Sequence, residues 1–231
     1  MTNRLESNPR DDLFRAIPAD EDAFVASRPS AEPPDRPSPA GVIGWAMPDP
    51  FEPRYAYPLL VWLVDSRDRT TLFPIDRWLE GVGSQNMATA VVDLAAFCDD
   101  VADAADVSLA LSAARLMQPS SLVVNEDRVF VAGHRAAGDL AVRAWLDRSR
   151  GLAGAAAIRP LSSPHPAVGP TGRVAGRLLV ASGQGWRQSG LALFAAGAEI
   201  ELHARLREPE PTGRAIERWV LASIPTAVGI G

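Results

Sequence analysis

The sequence predicts an α/β fold: a three-layer sandwich with a mostly parallel central sheet and an antiparallel edge on its N-terminal side. Three observations carry this. Short apolar runs bounded by Pro, Gly or Asp recur from Gly41 onward, helical stretches of ten or more residues separate several of them, and the run Leu59 to Val64 (LLVWLV) is apolar without alternation. Strands buried on both faces need continuous apolar runs, and strands that alternate with helices imply parallel βαβ units. The 231 residues suffice for one such domain.

The elements follow in order. GVIGWAM and YPLLVWLV are two strands joined by the PDPFEPR turn, and their short connection predicts an antiparallel pair at the sheet edge. MATAVVDL is a third strand, followed by a helix over 103–117 with Val107, Leu109, Leu111, Ala114 and Leu116 on its buried face. DRVFVAG is a fourth strand and runs into a tight turn, Gly133-His134-Arg135-Ala136-Ala137-Gly138. The helix after it, over 136–148, places Leu140, Ala141, Ala144 and Trp145 at helical spacing. GAAAIRP, GRLLVASG and AEIELHARL are three further strands. TGRAIERWVLASI closes the chain as a helix with Ile216, Trp219, Val220 and Ile224 on one stripe. No internal repeat is visible.

Residues 1–40 stand apart from the domain at 41–231. RPSAEPPDRPSPAG holds neither a regular helix nor a central strand and reads as an extended linker. The segment before it, with Leu13, Phe14, Phe24 and Val25, reads as a flexible tail or as a docking segment for a protein partner. The polar start MTNRLESNPRDD contains no apolar stretch of the secretory kind, so a cytoplasmic location is expected. No apolar run reaches the roughly 18–20 residues of a membrane span.

All 23 basic residues are Arg, the bias of a GC-rich bacterial-type genome; they are interspersed with 28 acids for a net charge of −5. Without a basic stripe, nucleic acid is not an expected partner. Cys98 is alone, and His134, His165 and His203 are far apart, so neither a thiolate cluster nor a paired-histidine metal site is spelled out. No metal and no cofactor is expected. Asp99 and Asp100 follow Cys98, and their charges oppose a thiolate.

Taken together, YPLLVWLVDSRDR, NEDRVFVAGHRAAGDLAVRAWL, GRLLVASGQGWRQ and the C-terminal AAGAEIELHARLREPEPTGRAIERWVLASI resemble, in order and spacing, the phospholipase/carboxylesterase-like branch of the α/β-hydrolase superfamily. The resemblance covers about residues 41–225 and implies an α/β-hydrolase-like fold. It also implies a nucleophile elbow of the form G-x-S-x-G, a serine on a strained strand-to-helix turn. In this sequence Gly133 is the first glycine, Arg135 stands at the serine and Ala137 at the second glycine. A guanidinium stays protonated and has no lone pair for attack on a carbonyl.

The other parts that the resemblance implies depart as well. The oxyanion loop reads Asp65-Ser66-Arg67-Asp68-Arg69 without a glycine, and acids there oppose a developing oxyanion. Trp186 and Arg187 stand where the triad acid is expected. The segment Arg207-Glu208-Pro209-Glu210-Pro211-Thr212, where the triad histidine is expected, contains none. The expectation is therefore a catalytically inactive relative with a binding, structural or regulatory role. The alternative is a carboxylic-ester hydrolase with relocated residues, with Ser66, Ser182 or Ser189 beside His203.

No catalytic residue is expected at the elbow itself. Binding candidates are Arg135, His134, Asp65, Ser66 and Trp186, the last read as exposed in a Gly/Gln-rich loop. Arg135 opens a helix, where the dipole favours an anion. It is expected either to take a small anionic ligand or, preferably, to pair with Asp139 or Asp65.

Overall fold

The computed structural model describes residues 41–67, 86–147, 151–162, 174, 176–181, 185–203 and 209–222, with only the backbone given for 209–212. The tail at 1–40, Asp68, His165, Ser182 and Ile224 lie outside the described residues.

The strands are β1 (Val42–Ala46), β2 (Ala56–Val64), β3 (Ala88–Asp93), β4 (Val123–His134), β5 (Gly154–Ile158), β6 (Arg177–Ala181) and β7 (Glu199–His203). The helices are α1 (Ala104–Leu116), α2 (Ala136–Leu146), α3 (Trp186–Ala195) and α4 (Pro209–Ala222). One seven-stranded sheet runs in the order β1-β3-β2-β4-β5-β6-β7. Every pair is parallel except β1–β3. The antiparallel edge strand is therefore present, but β1 pairs with β3 and not with β2. β2 lies between β3 and β4, and Leu59 to Leu63 are buried on both faces.

Alternation along the strands divides the core into two layers. Leu59, Val61, Leu63, Val131 and Val180 share one cluster with α1, α2 and α3. Leu60, Trp62, Phe130, Ile158 and Leu179 share the other with Ile216, Trp219 and Val220 of α4. Phe130 meets Trp219 edge-on at 5.2 Å between ring centroids.

Three expectations need correction. The buried stripe of α1 is Val107, Ala110, Leu111 and Ala114, with i, i+3, i+4, i+7 spacing. Leu109 and Leu116 are exposed, because they fall on the other flank of that helix. α3 fills a stretch read as loop, and Trp186 at its start is buried at 1% exposure. An indole of that size packed under a short helix anchors it, in spite of the glycines around it. Finally, α4 begins at Pro209, so Pro209 to Thr212 are helical turn and not an open loop. Proline is tolerated in the first helical turn, where N–H groups have no intrahelical acceptor.

Candidate functional site at the carboxyl edge of the sheet

The register aligns the carboxyl ends of the parallel strands. Leu63 faces Gly133, Val64 faces Asp93, His134 faces Ile158, Ile158 faces Ala181, and Ala181 faces His203. In open α/β sheets this edge is where ligands bind.

Arg135 stands immediately after β4 and caps α2 with φ 53° and ψ −122°. Such a backbone is strained for any residue with a Cβ. The turn needs its two glycines for close approach. A Cβ on Gly133 would lie 2.5 Å from the Ala137 carbonyl, and one on Gly138 would lie 2.7 Å from the Gly133 oxygen. The turn is tied to the next strand by the Arg135 N–H, which donates to the Ile158 carbonyl at 2.8 Å. His134 is buried on the face of β4 that it shares with Phe130 and Ala132.

One strand over, Arg159 follows β5 with φ 47°. It is the other described non-glycine residue with a positive φ, and the register sets it beside Arg135. No sequence signal marks Arg159, because arginine has no preference for that conformation. The sequence contains no Asp or Glu between Asp147 and Glu199, so no carboxylate follows β5 or β6.

At the end of β2, Asp65 and Ser66 neighbour this turn, but their groups point to other partners. The Asp65 carboxylate takes a two-pronged ion pair from Arg67, Nε to Oδ1 and Nη2 to Oδ2, each at 2.8 Å. That guanidinium holds the Asp65 carboxyl below the usual carboxylate range and keeps Arg67 itself protonated. Arg67 also donates to the carbonyls of Cys98 and Asp100, which latches the turn onto the segment after β3. The Ser66 N–H donates to Asp93 Oδ1 at 3.0 Å and the Arg67 N–H to Asp65 Oδ1 at 3.1 Å. Both backbone donors of this turn are thus bound to carboxylates, and neither is presented to an oxyanion.

Asp139, in the first turn of α2, does not take up Arg135 as expected from their spacing. Its Oδ2 accepts from the Ser162 N–H at 3.0 Å and from the Ser162 hydroxyl at 2.9 Å. Burial pushes the Asp139 carboxyl above its ordinary value, against the bonds from Ser162 and the charge of Arg143. Ser162, which follows β5, is a site neighbour that sequence reasoning missed, since a contact across 23 residues leaves no local pattern.

The remaining candidates do not converge. Trp186 is buried beyond β6, two strands from β4. His203 ends β7, three strand spacings or roughly 14 Å from β4, and its Nε2 lies 2.5 Å from Glu201 Oε1. Ser66 follows β2, one strand farther away. Ser189 is on α3, which packs over Ile200 and Leu202, whereas His203 alternates to the other face of β7. Among the described residues no group of three or more His, Cys, Asp or Glu is placed to hold a metal ion. Nor is any described helix long and apolar enough to cross a membrane.

Compared by sequence, the chain matches no family model and no curated protein. Compared by structure, it is similar to Est1E from Butyrivibrio proteoclasticus, with 11% identity, 77% of this chain and 92% of that chain covered, and a TM-score of 0.51. A bacterial heroin esterase gives 15% identity, 78% of each chain and a TM-score of 0.51. Esterase 2 of Thermogutta terrifontis, in a form phosphoramylated by tabun, gives 14% identity, 78% and 88% coverage and a TM-score of 0.54.

The chain has the α/β-hydrolase fold.

In an α/β-hydrolase the strand-to-helix turn on this sheet edge exposes the nucleophile, and its strained backbone serves that presentation. Here the turn and its strain are intact, with a half-buried arginine at the position the nucleophile takes in that fold. The same two glycine contacts seat α2 against β4, so the turn also has a packing role that is independent of chemistry.

Proposed function

We propose that this chain is a catalytically inactive α/β-hydrolase-fold protein with a binding or regulatory role. The observation that carries this reading is Arg135 at the elbow, where a permanent cation replaces the nucleophile. The neighbouring turn supports it, since its N–H groups at Ser66 and Arg67 are bonded to Asp93 and Asp65. The relocated-hydrolase alternative gains nothing from Ser66 or Ser189, neither of which is placed with His203.

Turnover of short acyl esters tests the proposal. The wild-type chain is expected to show none above buffer. Arg135→Ser is expected to remain inefficient, because triad members act as a unit and base, acid and oxyanion donors are still missing. Ester turnover by the wild type that disappears on mutation of a single serine would overturn the reading.

For the ligand class we infer a small anion such as a phosphate ester or a carboxylate. Arg135 opens α2, where the helix dipole favours an anion, and Arg159 follows the adjacent strand. Inorganic phosphate should then raise the Tm saturably, and Arg135→Ala should remove that rise. A Tm that responds to phosphate no more than to sodium chloride of equal ionic strength contradicts the assignment.

A further inference from the structure

We propose that β7 pairs antiparallel with the β7 of a second copy of this chain, giving a two-fold symmetric dimer with one continuous sheet.

β7 ends the sheet, and among the described residues no strand lies on its outer side. Its sequence is Glu199-Ile200-Glu201-Leu202-His203. Charges on an edge strand ordinarily prevent pairing with another chain. The order of side chains decides otherwise here, because the acids come first and the imidazole last. Antiparallel pairing about an axis at Leu202 sets Glu201 opposite the partner's His203 and Leu202 opposite its own copy. Moving the axis to Glu201 sets that carboxylate against itself, which disfavours the shifted register. The Glu201–His203 contact already present within one strand shows that the two side chains suit each other in chemistry and reach.

The opposite face of β7 is apolar. α3 sits on it through Gly190, where a Cβ would lie 3.4 Å from Leu202 Cδ1 and 3.5 Å from Ile200 Cγ2. Leu202 is nonetheless 44% exposed, and on α3 Leu191 and Phe194 are 63% and 66% exposed. Phe194 is one turn beyond Gly190, and Leu191 shares its flank at i, i+3. A two-fold interface uses the same patch twice. Pairing of β7 brings this patch toward its own copy, with apolar side chains on one face of the joined sheet and carboxylate–imidazole pairs on the other.

Light scattering coupled to size exclusion, on the full chain, tests the proposal. The expected mass at micromolar concentration is twice the 24.6 kDa of the monomer. His203→Glu sets carboxylates opposite each other and should raise the dimer Kd by about tenfold or more. Glu201→His combined with His203→Glu exchanges the two side chains and should restore wild-type dimerisation. Phe194→Asp, remote from the charged face, should weaken the dimer independently, and melting curves confirm that each variant is folded. The proposal is overturned by a wild-type monomer at about 100 μM, by a dimer indifferent to His203→Glu and Phe194→Asp, or by a double variant no tighter than the single one.

Discussion

Asp139 lies 8% exposed in the first turn of α2, with both Ser162 donors on Oδ2 and no hydrogen-bond partner on Oδ1. Burial raises its folded-state pKa above the ordinary 3.8, so the folded chain binds this proton more tightly than the unfolded chain. The stabilisation from that proton is fully present below the unfolded value and is lost as pH rises through the raised folded value. Asp139→Asn cannot ionise and keeps a carbonyl oxygen for Ser162. Urea melts of the two proteins at a series of pH values from about 4 upward should show the variant gaining on the wild type as pH rises. A constant difference across that range would mean that burial does not perturb this carboxyl. Residue-scale facts of this kind were the least legible in the sequence. Arg135 was placed by the glycines on either side of it. The partners Asp139–Ser162, Ser66–Asp93 and Arg67–Cys98 join segments 23 to 31 residues apart, and only the tertiary fold brings them together.

At the scale of elements, the elbow separates close packing from chemistry. Gly133 and Gly138 each lie under 3.0 Å from backbone atoms once a Cβ is added, and backbone cannot step aside as a flexible side chain can. Gly138→Ala should therefore destabilise the fold by about 1–3 kcal/mol through overpacking. Gly44→Ala on β1 serves as control, since its Cβ would meet nothing within 4 Å, and it should stay within ~0.5 kcal/mol of wild type. Equal stability of the two variants in urea would show that the turn relaxes around the added methyl group. The strands and α2 were legible because apolar runs and helical spacing are local signals. α3 was not, because the glycines of GQGWRQSG read as loop while the stabilising contact is the burial of Trp186. The strand order was not legible either. A crossover to either side of β2 satisfies the same pattern, and β3 took the place beside β1 that the short turn assigned to β2.

At the scale of the molecule, the sheet order, the carboxyl-edge register and the division into two core layers are those of an α/β-hydrolase fold, and the elbow sits at the centre of that frame. The strained turn has a packing reason that needs no nucleophile, since its glycine contacts seat α2 on β4. On the proposed reading, nothing at this edge attacks a carbonyl or a phosphorus centre. Intact-mass spectrometry of the full chain after incubation with a fluorophosphonate tests it most directly. The expected result is an unmodified mass. A stoichiometric adduct on one serine, lost when that serine is replaced by alanine, would contradict it.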